Sequence, residues 1–276
     1  CIRDSHSTRH TGLALEWWAI SFRHNCHSSK ALSNICSSMH KLSDRKIVVT
    51  GASRGIGAAI THSLLSVGCQ VVALARDFSH WQIENDRLEL VQMDLSRSEE
   101  LPHQLGELAR NHPELDGLIL NAGYGQFGSL EEFSYPQIRD LVETNLLQHI
   151  YFARAFIPRF KKQGAGDLVL IGSEAALSGG RKGAVYSACK FALRGLAQSL
   201  REECSARGVR VSLINPGMVN TDFYDKLDFT PGEAPENHLR PEDVAQAVRL
   251  VLEAPAGTVF DEINLNPLKK VIRFKS

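Results

Sequence analysis

From residue 46 onward, short runs of β-branched and aliphatic residues alternate with longer stretches of helical spacing, and this alternation constrains the fold most. Lys46-Ile47-Val48-Val49-Thr50 reads as a buried strand ending at Gly51. Ile56, Ala59, Ile60, Leu64 and Val67 keep helical spacing, and Gly68 closes them as a C-terminal cap. Further strands are predicted over 71–75, 88–92, 117–120, 167–171 and 209–214, with a seventh over 258–263. Helices are predicted over 98–110, near 136–160 and over 185–207. Strands that are apolar throughout and separated by helices belong in a parallel sheet covered on both faces. Right-handed crossovers make the predicted fold a single-domain α/β, doubly wound, mostly parallel seven-stranded sheet. Its ligand crevice then lies at the carboxyl ends of the strands.

The composition agrees with this. Hydrophobic residues make up 43% and charged residues 22%, enough to form a sizeable core and to exclude a disordered or disulfide-stapled chain. Lys+Arg and Asp+Glu both count 31, so the charge balance calls for neither nucleic acid nor an anionic membrane. The six cysteines contain no C-x-x-C pair, which points to reduced thiols and a cytoplasmic setting. No run of 18 apolar residues occurs, so no membrane-spanning helix is expected.

Residues 1–38 stand apart. They are rich in Ser and His and show no sustained periodicity, so they read as a disordered or non-native extension. Met39 is then the expected start of a catalytic domain over 39–276. The apolar stretch Leu13–Ile20 is interrupted by Glu16, which makes it a poor secretory signal. Cys36 and His40 form at most half a zinc site, and no metal is expected.

Each candidate motif falls at a predicted strand end. Thr50-Gly51-Ala52-Ser53-Arg54-Gly55-Ile56-Gly57 joins the first strand to the first helix. Gly51 can make the tight turn, Gly55 can let backbone approach a pyrophosphate, and Gly57 can bring helix and strand close. The pyrophosphate would meet free N–H groups and the positive dipole of the helix start. Arg76 ends the second strand, where an NAD enzyme carries a carboxylate for the ribose 2′-hydroxyl. With Arg54 it favours the 2′-phosphate of NADP; Asp77 next door leaves NAD open as the alternative. Asp94, followed by Leu95, can accept from an adenine amine or cap the following helix. Asn121-Ala122-Gly123 follows the fourth strand, where small residues let a cofactor pass and Asn121 can stitch strand ends together.

Tyr186 and Lys190 are four apart on a predicted helix and therefore share a face. An ammonium beside a phenol stabilises the phenolate, so Lys190 is expected to lower the Tyr186 pKa. Ser173, at the end of the fifth strand, can hydrogen-bond a substrate carbonyl or alkoxide opposite the tyrosine. Pro216-Gly217-Met218-Val219-Asn220-Thr221 leaves the sixth strand and opens a loop to about 240, which is read as a substrate lid. Tyr124, Phe127 and this loop are expected to line a partly apolar pocket.

With these residues in order and spacing, the chain resembles the short-chain dehydrogenase/reductase family over 45–276. The resemblance implies a Rossmann-type fold, a nicotinamide cofactor (NADP preferred, NAD possible) and interconversion of an alcohol and a carbonyl. It also implies a catalytic tetrad, carried onto Asn145, Ser173, Tyr186 and Lys190, with Asn145 holding a water that links the lysine to solvent. Cofactor contacts are implied from Gly51, Ser53, Arg54, Gly55, Ile56 and Gly57, and from Arg76, Asp94, Leu95, Asn121, Ala122 and Gly123. Tyr186, Lys190, Pro216, Gly217, Val219 and Thr221 complete that set, Thr221 at the nicotinamide carboxamide. Ser173 and Tyr186 are the expected substrate contacts. A small-molecule carbonyl or alcohol is the expected partner, and a homodimer or homotetramer the expected assembly. An NADP(H)-binding regulator of the same fold without turnover is the alternative.

Overall fold

The structure, a computed structural model, describes residues 41–275; the extension over 1–38 and the Cys36/His40 reading lie outside them. Seven parallel strands form one sheet: β1 (Lys46–Thr50), β2 (Gln70–Ala75), β3 (Leu88–Gln92), β4 (Gly117–Leu120), β5 (Gly166–Ile171), β6 (Val209–Pro216) and β8 (Glu262–Leu265). The order β3-β2-β1-β4-β5-β6-β8 reverses at β1 and β4, which opens a crevice at their carboxyl ends. The register Val48↔Val72 and Val48↔Leu118 runs through β1, whose residues from Ile47 to Thr50 are all buried.

Helices cover both faces. On one, α1 (Gly55–Ser66) and α6 (Pro241–Leu252) contribute Ile60, Leu64, Val244 and Val248 to a core with Val49, Val71 and Ile214. On the other, α2 (Leu101–Asn111), α4 (Gln148–Gln163) and α5 (Ala184–Cys204) bring Leu105, Phe152, Phe156 and Ala197 against Val48, Leu118 and Leu170. This is the predicted architecture, and its strands and α1 are built on the apolar runs read from the sequence.

The structure corrects four boundaries. The helix expected near 136–160 is α3 (Tyr135–Val142), a π turn over Glu143–Leu147, then α4. The last strand of the main sheet lies at Glu262–Leu265 rather than 258–263. A turn closed by Thr258 N donating to Pro255 O at 2.8 Å precedes the pairing, which begins where Glu262 meets Leu213 of β6. Helix α6 was not anticipated, although Pro241 at its first turn and Val244, Ala247, Val248 and Val251 on one face carry the signal. The loop expected to run to 240 contains β7 (Phe229–Pro231), which pairs antiparallel with a C-terminal strand, β9 (Ile272–Phe274).

Candidate active site

The turn from β1 into α1 is built on glycine. Gly51 and Gly55 adopt φ +64° and +54°, conformations that L side chains rarely take. A Cβ on Gly57 would stand 2.1 Å from Gly51 O, so no other residue fits without moving the turn. The N-terminus of α1 therefore faces the crevice with its N–H groups free to meet an anion. Ser53 is partly buried and Arg54 exposed. Thr50 supports the turn in a way the sequence did not reveal: its Oγ1 accepts from Asn121 N (2.9 Å) and Ala122 N (3.0 Å). Asn121 Nδ2 donates to Thr50 O at 3.0 Å, stitching β1 to β4 as expected.

At the end of β2, Arg76 is exposed, and neither it nor Arg54 enters a salt bridge among the described residues. Asp77 is occupied locally: its carboxylate accepts from Ser79 N and Ser79 Oγ, both at 2.8 Å. Those bonds hold its pKa below the usual carboxylate value. Asp94 closes a similar turn, accepting from Ser96 N (3.1 Å) and Ser96 Oγ (2.7 Å). Burial opposes its ionisation, but Ser96 and then Arg76 and Arg97 outweigh that and hold its pKa down. Leu95 beside it is buried.

Ser173, Tyr186 and Lys190 converge at the carboxyl end of β5. The Ser173 side chain lies close enough to the Tyr186 hydroxyl to favour its ionised form, and Ser173 Oγ accepts from Ala175 N at 3.1 Å. Lys190 Nζ lies 5.7 Å from the Tyr186 ring centroid and donates to Ile171 O at 3.1 Å. Tyr186 is 7% exposed, Lys190 4% and Asn145 0%. Asn145 sits in the π turn, a distortion common at functional sites. Its Oδ1 accepts from Tyr124 N (3.1 Å) and its Nδ2 donates to Leu141 O (3.1 Å). A Cβ on Gly123 would lie 2.7 Å from Asn145 Oδ1 and 3.9 Å from Lys190 Nζ, so the two side chains reach the same spot.

The electrostatics differ from expectation. Burial pushes the Tyr186 phenol up to about 12, with Cys189 and Glu174 adding to the rise and Ser173 offsetting part of it. Burial also pulls Lys190 down to about 8. Desolvation penalises both charged forms, and the expected depression of the tyrosine pKa is absent. One turn beyond Asn145, His149 is wholly buried and pushed to about 3, by burial and then by the Lys190 charge. Neighbouring Gln148 donates to Ala122 O at 3.0 Å. Nothing in the sequence pattern singled out either residue.

Past β6, Pro216 and Val219 are buried, and Gly217 N donates to Leu265 O at 2.7 Å. Thr221 Oγ1 accepts from Phe223 N at 3.3 Å, and its Cγ2 packs over Gly55, bringing the root of this segment onto the glycine turn. The segment then lays aromatic rings against the tyrosine. Phe127 lies 5.3 Å and Phe223 6.2 Å from the Tyr186 ring; Phe229 is 5.1 Å from Phe127, and Tyr224 5.2 Å from Phe223. Among the described residues no His/Cys/Asp/Glu cluster could hold a metal, and no helix is long and apolar enough to cross a membrane.

Comparison with known proteins agrees with this frame. A sequence model described as short chain dehydrogenase matches residues 45–230, so the chain belongs to the short-chain dehydrogenase family. An uncharacterized oxidoreductase of Staphylococcus saprophyticus is 29% identical over 238 residues, covering 83% of this chain and 100% of that protein. A metagenomic short-chain oxidoreductase solved in complex with NADP is 32% identical, with TM-score 0.68 and coverage of 83% and 100%. An alcohol dehydrogenase from the archaeon Thermococcus sibiricus, complexed with 5-hydroxy-NADP, is 28% identical, with TM-score 0.72 and coverage of 82% and 98%.

Proposed function

We propose that this oxidoreductase is NADP(H)-dependent and interconverts an alcohol and a carbonyl, with Tyr186 as general acid and base. The observation that carries the reading is the convergence of Ser173, Tyr186 and Lys190 at the strand ends, beside a glycine turn and two exposed arginines. The NADP bound to the two similar proteins named above supports it.

The residues present fit such a cofactor. Only glycine is tolerated at the close approach of Gly57 to Gly51 O, and the helix N-terminus above it suits a pyrophosphate. Gly51, Ser53, Gly55 and Ile56 would hold the pyrophosphate side, and Asn121, Ala122 and Gly123 the ribose and the path to the nicotinamide. Pro216, Gly217, Val219 and Thr221 would flank the nicotinamide. Arg54 and Arg76 would take the 2′-phosphate, because Asp77, the carboxylate that would favour NAD, is engaged by Ser79. Asp94 and Leu95 would border the adenine.

When bound, the nicotinamide supplies or accepts the hydride. Everything else is done by the chain. A phenol held at about 12 stays protonated at neutral pH, so Tyr186 Oη can donate its proton to a substrate carbonyl oxygen. Ser173 Oγ gives the same oxygen a second hydrogen bond. Lys190 orients the ribose and places its charge by the phenol, and Asn145 holds the path by which Lys190 is reprotonated.

A screen of carbonyl compounds followed by loss of NADPH absorbance tests the reading, with NADH run in parallel. Turnover with NADPH preferred is expected. Arg76→Ala should then cost NADPH about 10–100-fold in kcat/KM, the worth of roughly 1.5–3 kcal/mol of charge-assisted hydrogen bonds, and leave NADH nearly unchanged. Tight NADPH binding with no turnover would instead indicate a regulator, and a parent enzyme preferring NADH would remove the role given to Arg76.

A further inference from the structure

We infer that Phe127 and Phe223 set substrate specificity, selecting an uncharged carbonyl compound, or its alcohol, that presents an apolar ring-sized flank. The inference rests on the role proposed for Tyr186 and adds the class of molecule the tyrosine serves.

The argument starts from access. Tyr186 is only 7% exposed, and the rings of Phe127 and Phe223 stand 5.3 Å and 6.2 Å from its own. Phe223 is seated tightly: a Cβ on Gly125 would meet its Cζ at 2.4 Å and Phe127 Cε2 at 2.9 Å. A carbonyl oxygen that reaches the tyrosine hydroxyl must therefore bring its substituents into space bordered or held by these rings. Met218, Tyr224 and Leu227 form a buried cluster behind them, with Phe229 packed against it. Lys190 Nζ lies 5.7 Å from the tyrosine ring centroid and donates to Ile171 O, which holds its ammonium on the β5 side of the tyrosine.

Charge near the site argues the same way. Glu174 is close enough to Tyr186 and Tyr224 to raise both their pKa values, and its carboxylate is paired with Lys270 at 2.7 Å. With Glu174 already paired, a substrate carboxylate lying against Phe127 and Phe223 would face aromatic carbon, with little there to repay its desolvation. An apolar ring loses no such hydration and gains ring–ring contact. Phe223 lies in the segment 222–238, outside the main sheet, so the ring that borders the tyrosine is set by this segment rather than by β5 or α5.

The test uses binding and turnover together on the full chain. Acetophenone is titrated calorimetrically into the NADP⁺-loaded protein, a pairing that cannot react. In parallel, oxidation of 1-phenylethanol is compared with that of serine and 3-hydroxypropionate. Acetophenone should bind, and 1-phenylethanol should exceed both charged substrates in kcat/KM. Phe127→Ala and Phe223→Ala should each narrow that preference by about tenfold or more, a fitting magnitude for losing apolar contact in a pocket. Phe127→Leu and Phe223→Leu, which keep apolar packing, should retain most of it. A preference for serine or 3-hydroxypropionate, or selectivity unmoved in both alanine variants, overturns the inference and leaves the oxidoreductase reading standing. Acetophenone binding that depends on both phenylalanines, with no turnover of any alcohol, upholds the ligand class and overturns the catalytic reading. Absence of both binding and turnover overturns the inference.

Discussion

The two ends of the central sheet bury charge equally well and put it to opposite uses. At the amino ends of β1, β4, β5 and β6, the charges of Arg45, Asp167 and Arg210 meet their complements. Arg45 bonds Asp116 at 3.1 Å and Asp167 at 2.8 Å, and Arg210 grips the two carboxylate oxygens of Asp167 at 2.7 and 2.9 Å. Arg210 also donates to Ala254 O and Leu252 O. Burial alone would lower the Arg45 pKa, but Asp167 and Asp116 outweigh it and raise the value. At the carboxyl ends, Lys190 has no carboxylate within salt-bridge reach among the described residues, and burial drags its pKa down to about 8. The lower end is settled by neutralisation, whereas the upper end holds titratable groups away from their ordinary values, a pattern that clusters at functional sites.

The largest expected break in this comparison is at the upper end. Tyr186→Phe removes the proposed proton donor without removing the ring that packs on Phe127 and Phe223. Turnover should fall by ~10²–10⁴-fold, the usual worth of a general acid, while melting temperature and NADPH affinity hold. Next comes Asp167→Ala at the lower end. It strands Arg45 and Arg210 in a buried setting without their shared counter-charge, a loss of about 3–5 kcal/mol. Thermal unfolding should drop by about 2–4 °C for each kcal/mol, with kcat/KM of the folded protein at 25 °C within about twofold of the parent. Activity falling in step with stability would mean that the two ends are not separable.

The upper end should also show itself in pH. The ammonium of Lys190 exists below its pKa of about 8 and is lost as pH rises through that value. In the carbonyl-reducing direction, kcat/KM should be level below that pKa and then fall by up to about tenfold per pH unit. Neither Tyr186, near 12, nor His149, near 3, changes charge in that window. Lys190→Arg, whose guanidinium stays charged, should lower the plateau and abolish the falling limb. A limb that survives in the arginine variant would assign it to another group.

Much of this was legible in the sequence, for identifiable reasons. The inner strands are apolar throughout because both faces are covered, so the runs at 46–50 and 117–120 match the structure residue for residue. The i, i+4 placement of Tyr186 and Lys190 needs only helical geometry. What escaped depends on tertiary context. Asn145, named only through the family resemblance, sits in a π turn that no local pattern announces. Thr50 acts through a hydroxyl shared across 71 residues of sequence. The pKa of Tyr186 turns on how deeply the finished fold buries it, and the nearby lysine was an incomplete guide. The pairing of β7 with β9 joins two three-residue segments far apart in the chain, too short for alternation to identify.

That pairing supplies the smallest prediction, at the rim of the upper end. Strand β9 aligns Phe229 with Phe274 and Pro231 with Ile272. Backbone bonds from Gly232 N to Val271 O, Lys275 N to Asp228 O and Lys269 N to Glu236 O extend the seam along 228–236. Lys275 Nζ reaches Tyr224 O at 2.6 Å, beside Phe223. The C-terminal segment thus ties down the stretch that carries the rings over Tyr186, without touching the glycine turn. Deleting residues 268–276 should loosen those rings and raise KM for the carbonyl substrate by roughly tenfold, about 1.4 kcal/mol, while leaving NADPH affinity unchanged. Lys270→Ala should do less. Its ion pair with Glu174 is solvent-accessible on both sides, and such pairs contribute at most about 1 kcal/mol, less in salt. Its KM effect should stay below about fivefold and fade at high ionic strength. Steady-state kinetics at two salt concentrations checks both variants. An equal loss in NADPH affinity would show that the segment braces the whole crevice rather than its rim.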